Sequence, residues 1–203
     1  MQLIGSFSSP FVRRVAVTMK LYGLPFEHYP YATDRNAADI GRFNPLGRVP
    51  ALVLDDGEVI VDSSMIIDHL DDVVGPERAL TPRAGPDRRH VNRIVALATG
   101  VSDKYVAAYY ERSKRPANHV WKPWLDHLED QVRRGLQALD SMVQWPWFIG
   151  TGLSQADVST IVAVQAMRHD MPHLAPQGQF RALDGLVRAA ASIDAFASTL
   201  PGQ

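Results

Sequence analysis

One stretch limits the architecture of this chain more than any other. "GPERALTPRAGP", residues 75 to 86, is dense in proline and glycine and separates two kinds of sequence. These residues are the strongest local breakers of regular structure, so the stretch reads as a linker. Before it, strand-like and helix-like segments alternate; after it, only the helical period is found. Such an order predicts an α/β domain over residues 1–76, a linker over 77–87 and an all-helical domain over 88–203. At 203 residues the chain is long enough to bury a core in either arrangement, and the linker decides for two parts.

Within the first part, "QLIGS" predicts a short apolar strand. Val12, Val15, Ala16 and Met19 follow at helical spacing until Gly23 and Pro25 stop the helix. "FEHYPY" predicts a second strand, which Pro30 confines to a sheet edge or to an early end. A short helix is expected between Asn36 and Phe43. "PALVL" and "EVIV" around the turn "DDG" form the clearest hairpin signal. "DSSMIIDHLDDVV" then predicts a helix with Ser63 as its cap and Met65, Ile66, His69, Leu70 and Val73 on one face. Beyond the linker, two long helical segments precede two or three shorter ones. In "GLSQADVSTI", Ser154 and Asp157 stand at capping-box spacing, with Asp where Glu or Gln is usual.

Composition removes several classes of function. With 21 basic and 22 acidic residues and a net charge of −1, the chain lacks the basic footprint of a nucleic-acid binder. No apolar run approaches the ~20 residues that span a bilayer, and the N-terminus lacks the charged-then-apolar pattern of a secretory signal, so a soluble cytoplasmic protein is expected. The absence of cysteine excludes a disulfide framework, a thiolate metal site and a redox-active C-x-x-C. Any thiol chemistry must therefore use a thiol carried in by a ligand. Of seven histidines only His169 and His173 have i, i+4 spacing, and Pro172 between them opposes a regular helix, so no metal is expected. "GSFSS" does not match the G-x-S-x-G elbow of a serine hydrolase.

In "GSFSSPFVRR", residues 5 to 14, Ser8 and Ser9 stand directly before a proline that opens a helix. Serine is a favoured N-cap and proline a favoured first helical residue, which accounts for the pattern as helix construction. The same hydroxyl, beside free backbone N–H groups and the positive end of the helix dipole, also suits an anion. Both readings fit the residues alone.

Four segments taken in order, "SSPFVRRV", "FNPLGRVPAL", "VDSSMIIDHL" and "GLSQADVSTI", resemble the cytosolic glutathione S-transferase family, most closely its bacterial YibF-like branch. The resemblance covers essentially the whole chain. It implies a thioredoxin-like βαβαββα domain followed by an all-helical domain, glutathione as co-substrate, a homodimer, and conjugation of glutathione to a small apolar electrophile. It further implies a cis bond before Pro50, which turns the Val49 backbone toward the cysteinyl part of glutathione like an added strand. Arg48 is then either a partner of the glycyl carboxylate or a solvated turn arginine. The start of the helix at Ser63 would hold the γ-glutamyl carboxylate, and Asp62 the ammonium, although the family often has the longer Glu or Gln there.

By the same resemblance the anion before Pro10 is the glutathione thiolate. Members with an S-P-F pattern point to Ser9 as its partner, other serine classes to Ser8. A free thiol of pKa ~8.5 is only a few per cent ionised at pH 7, and a shift of ~2 units corresponds to about 2.7 kcal/mol. A charge-assisted hydrogen bond of ~1.5–3 kcal/mol and a helix terminus suffice without a base. The resemblance puts the electrophile between the first-strand loop and the opening helices of the second domain, which makes Phe7, Tyr105, Tyr109 and Trp121 candidates for an apolar wall. Isomerase or dehalogenase chemistry would use the same thiolate, whereas disulfide reduction is disfavoured without cysteine. The rival from another class is a binding protein that keeps the fold without turnover.

Overall fold

In the computed structural model, which describes residues 1–150 and 152–201, the chain divides into two compact units. The first runs from Met1 to Gly85 and takes in the segment from Ser192 onward; the second runs from Pro86 to Ala191. Thr151 and the last two positions of the helical domain expected over 88–203 lie outside the described residues.

The first unit contains β1 (Gln2–Ile4), α1 (Pro10–Tyr22), β2 (Glu27–Tyr29), α2 (Ala37–Gly41), β3 (Ala51–Val53), β4 (Val59–Val61) and α3 (Ser63–Val74). Its sheet has the order β2-β1-β3-β4, with β1 and β2 parallel and the other pairs antiparallel. The order of elements is the thioredoxin-like βαβαββα pattern. Pro30 stops β2 at the sheet edge, where a missing N–H costs no ladder bond. The Asp-Gly turn joins β3 to β4, with the Leu54 N–H donating to the Glu58 C=O at 2.8 Å and the Glu58 N–H to Asp56 at 3.0 Å. Gly23, at φ 68°, closes α1, and the next N–H, of Leu24, reaches back to the Met19 C=O at 2.9 Å.

The core of this unit is built by Leu3 and Leu52 from the sheet, Val12, Val15, Ala16 and Met19 from α1, and Ile66, Ile67 and Leu70 from α3. Here the expected face of α3 needs correction. Met65 and Val73 are 57% and 52% exposed, and Ile67 and Val74 turn inward instead. The linker is tied down rather than loose: the Tyr22 hydroxyl donates to Asp71 and accepts from the Leu80 N–H at 2.6 Å, while Arg78 donates to the Tyr22 C=O at 2.5 Å.

The second unit consists mainly of α4 (Gly85–Ser113), α5 (Lys122–Met142), α6 (Gln155–Asp170) and α7 (Arg181–Ala190). The first ten residues of α6 are all buried, the pattern of a central helix surrounded by others. The remaining helix, α8 (Asp194–Ala197), packs on α1 in the first unit. Sequence groups this segment with the helical part, but α1 carries a wholly buried arginine that needs acceptors. Arg13 finds them here, donating to Thr199 Oγ1 at 3.3 Å and to the Phe196 C=O at 3.0 Å. Among the described residues no helix is long and apolar enough to cross a membrane.

Candidate functional site

The end of β1 brings three segments to one point. A Cβ placed on Gly5, at φ 127°, would stand 2.5 Å from Val12 Cγ2 and 2.8 Å from Val49 Cβ. Only glycine fits between the first turn of α1 and the residue before Pro50. Its N–H donates to the Tyr29 C=O at 2.8 Å, and its own C=O lies 2.8 Å from His28 Nε2.

From Gly5 the chain turns into α1. Ser6 organises the turn: its C=O accepts from the Ser9 N–H at 3.0 Å, and its Oγ accepts from the Ser8 N–H at 3.3 Å and the Ser8 hydroxyl at 3.0 Å. Ser9 is the N-cap of α1, its Oγ accepting from the Val12 N–H over a long 3.4 Å. The two serines therefore differ. Ser8 is exposed and its hydroxyl proton is given to Ser6, whereas Ser9 is half-buried and its hydroxyl proton has no acceptor among the described residues.

The Val49–Pro50 bond is cis, as the resemblance implies. Buried Asn44 shapes the loop before it, donating to the Arg48 C=O at 3.0 Å and accepting from the Leu46 N–H at 3.0 Å. Neither the N–H nor the C=O of Val49 is engaged by another described residue, so this backbone edge is open. The Arg48 side chain is exposed.

At the start of α3 the cap lies one residue earlier than expected. Asp62, not Ser63, is the N-cap, with φ 70° and Oδ1 accepting from the Ser64 N–H at 2.8 Å. With ψ at 129° this backbone lies outside the left-handed helical well, in a sparsely populated region that is strained for a non-glycine residue. Ser63 becomes the first helical residue and is buried, its Oγ accepting from Arg14 Nη1 at 3.4 Å. Burial lowers the Arg14 pKa to about 10 and the Asp62 carboxylate opposes the change, so the guanidinium remains a cation at neutral pH.

The four aromatic candidates have separate fates. Phe7 is half-buried and stacks on His28 with ring centroids 3.9 Å apart, so one of its faces is already covered. Tyr105, on α4, is 2% exposed and donates its hydroxyl to Asp170, and burial with that bond pushes its pKa up. It is a core residue and offers no wall to a substrate. Tyr109, on the same helix, and Trp121, the N-cap of α5, are exposed. His169 lies in the last turn of α6 and His173 in a separate 3₁₀ turn, Pro172–Leu174, where it pairs with Glu129 at 3.1 Å.

Gly5, Ser6, Asn44 and Arg14 were not among the sequence candidates. Glycine after a strand and the Asn-Pro dipeptide carried local signals for two of them. Arg14 carried none, because an arginine is expected outside. Chemically, the first unit assembles an uncommitted hydroxyl at a helix start, an open backbone edge and an acidic cap beside a buried cation.

A model of the "Glutathione S-transferase, N-terminal domain" matches residues 8–73. The uncharacterised GST-like protein YibF of Escherichia coli is 34% identical over 143 residues, which cover 69% of this chain and 68% of that protein. The maleylacetoacetate isomerase of Pseudomonas aeruginosa is 28% identical over 180 residues, 82% of this chain and 81% of the isomerase. A glutathione transferase family member from Pseudomonas fluorescens, solved with bound glutathione, superposes with a TM-score of 0.88 at 28% identity, covering 100% of this chain and 99% of that one.

Proposed function

The chain belongs to the glutathione S-transferase family, and from that premise we propose a serine-type glutathione transferase that acts in the cytoplasm as a homodimer. One observation carries the reading: the Ser9 hydroxyl sits at the start of α1 with its proton uncommitted, in a protein that has no thiol of its own. The glutathione sulfur lies against that hydroxyl and the α1 N-terminus, which together favour its anion. The open Val49 backbone pairs with the cysteinyl unit, Arg48 meets the glycyl carboxylate, and Asp62 and the first turn of α3 take the γ-glutamyl head. The thiolate then attacks an electrophilic carbon of a small apolar substrate; an S–C bond forms and the displaced group leaves with its electron pair. Exposed Met65 and Val73 supply apolar surface for the homodimer.

The test follows the thiolate by ultraviolet absorbance as the glutathione complex is titrated. The bound thiol should titrate ~2 units below the free value of ~8.5, and Ser9→Ala should return it most of the way. Sulfur still protonated near neutrality in the parent complex overturns the mechanism. Calorimetric binding of glutathione with no turnover on a panel of electrophiles would instead favour a binding protein. The isomerase relative, matched along most of the chain, supports a second reading in which the same thiolate adds reversibly and isomerises a double bond. Turnover of maleylacetoacetate exceeding that of activated aryl halides would decide for it.

A further inference from the structure

Two neighbouring arginines of α1 are buried, and only one is explained by packing. Arg13 holds the C-terminal segment through Thr199 and Phe196. Arg14, 3% exposed, makes one long contact, from Nη1 to Ser63 Oγ at 3.4 Å, and its buried Nε has no hydrogen-bond partner among the described residues. A buried cation short of partners is costly, and an aliphatic residue would pack against the apolar face of α3 at less cost. The charge must serve something beyond the core.

The start of α3 shows what. Asp62 places a negative charge beside the backbone N–H groups that would receive a carboxylate, and by itself it would repel one. Arg14 lies behind the same turn and offsets that charge. Because Ser63 Oγ accepts from Arg14, its own proton is directed away from the guanidinium and is free for a ligand oxygen. Resting on the glutathione reading above, we propose that Arg14 is a positioning residue: it makes the start of α3 selective for a zwitterionic amino-acid head, ammonium toward Asp62 and carboxylate toward Ser63.

The experiment compares two ligands by calorimetry on the full chain. One is glutathione; the other is γ-aminobutyryl-cysteinylglycine, which lacks only the head carboxylate. Arg14→Met should weaken glutathione about tenfold and the analogue less than about twofold. Arg14→Lys, which keeps the charge, should hold glutathione to a loss of about threefold. Circular dichroism verifies folding, and Arg14→Gln replaces the Met variant should that one fail to fold. Equal losses for both ligands, or no loss for either, overturn the proposal, because a purely structural arginine would not distinguish them. Parent protein that binds both ligands equally overturns it while the glutathione reading stands, and parent protein that binds neither overturns both.

Discussion

Ser9 and Ser154 occupy the same position in two helices, yet their surroundings differ in a way that separates support from chemistry. Ser154 is 1% exposed, and Asp157 Oδ2 lies 2.6 Å from its Oγ and 2.8 Å from its N, while the other carboxylate oxygen takes the Phe148 N–H at 2.9 Å. That cap is closed, every group being answered from within. Ser9 is half-buried, reaches its helix only over 3.4 Å and keeps a proton to give. A closed cap contributes stability; an open one leaves donors for a ligand.

The largest expected effect breaks the closed cap. Asp157→Ala leaves the Phe148 and Ser154 N–H groups and the Ser154 hydroxyl unpaired in the interior, at a cost of about 3–4 kcal/mol. Calorimetric melting should fall by about 10 °C while glutathione affinity is unchanged. Lost affinity with unchanged melting would remove Asp157 from the structural side of the comparison. Ser9→Ala is the mirror experiment. It should lower kcat/KM about 100-fold, or about 2.7 kcal/mol, and shift unfolding in denaturant by less than about 1 kcal/mol. Comparable losses of stability at both serines would erase the distinction.

Next in size, Gly5→Ala adds a Cβ against Val12 and Val49 at a positive φ, and about 2 kcal/mol of stability should be lost. Because the displaced segments carry Ser9 and the open backbone edge, glutathione affinity should fall with it; a destabilised variant that binds normally would show the open cap to be independent of Gly5. The smallest effect is on pH dependence. Burial pushes the Asp157 carboxyl above its ordinary value, against hydrogen bonds from Ser154 and Phe148 that pull it down. The folded state therefore holds this proton more tightly than the unfolded chain. Its contribution is complete below the unfolded pKa of about 3.9 and is lost as pH rises through the folded value. Asp157→Asn should flatten the stability profile across that window, while Ser9→Ala should leave its slope alone; unfolding curves at a series of pH values distinguish them.

Much of the fold was legible because period and punctuation are local properties. The Asp-Gly hairpin, the proline that ends β2 and the glycine that ends α1 each act through their own φ or N–H. The start of α3 was less legible. In "DSS" three residues compete for the cap, and the choice fell to Asp62, whose side chain reaches the Ser64 N–H from a backbone with positive φ. Tyr105 and Tyr109 share a helix and a spacing, but Asp170 takes the hydroxyl of one into the core, a partner 65 residues away that no local pattern reveals.

By itself the sequence determined the order of strands and helices in the first part and the serine and proline that open α1, since each depends on backbone preferences a few residues long. The tertiary structure decided which of two adjacent serines keeps a spare proton, how the interior Arg13 of α1 is satisfied, and where the last helix packs. Those outcomes depend on whether a polar group finds its partner in the folded chain: Ser8 meets Ser6 once the turn is formed, and Arg13 meets Thr199 and Phe196 from the far end of the sequence.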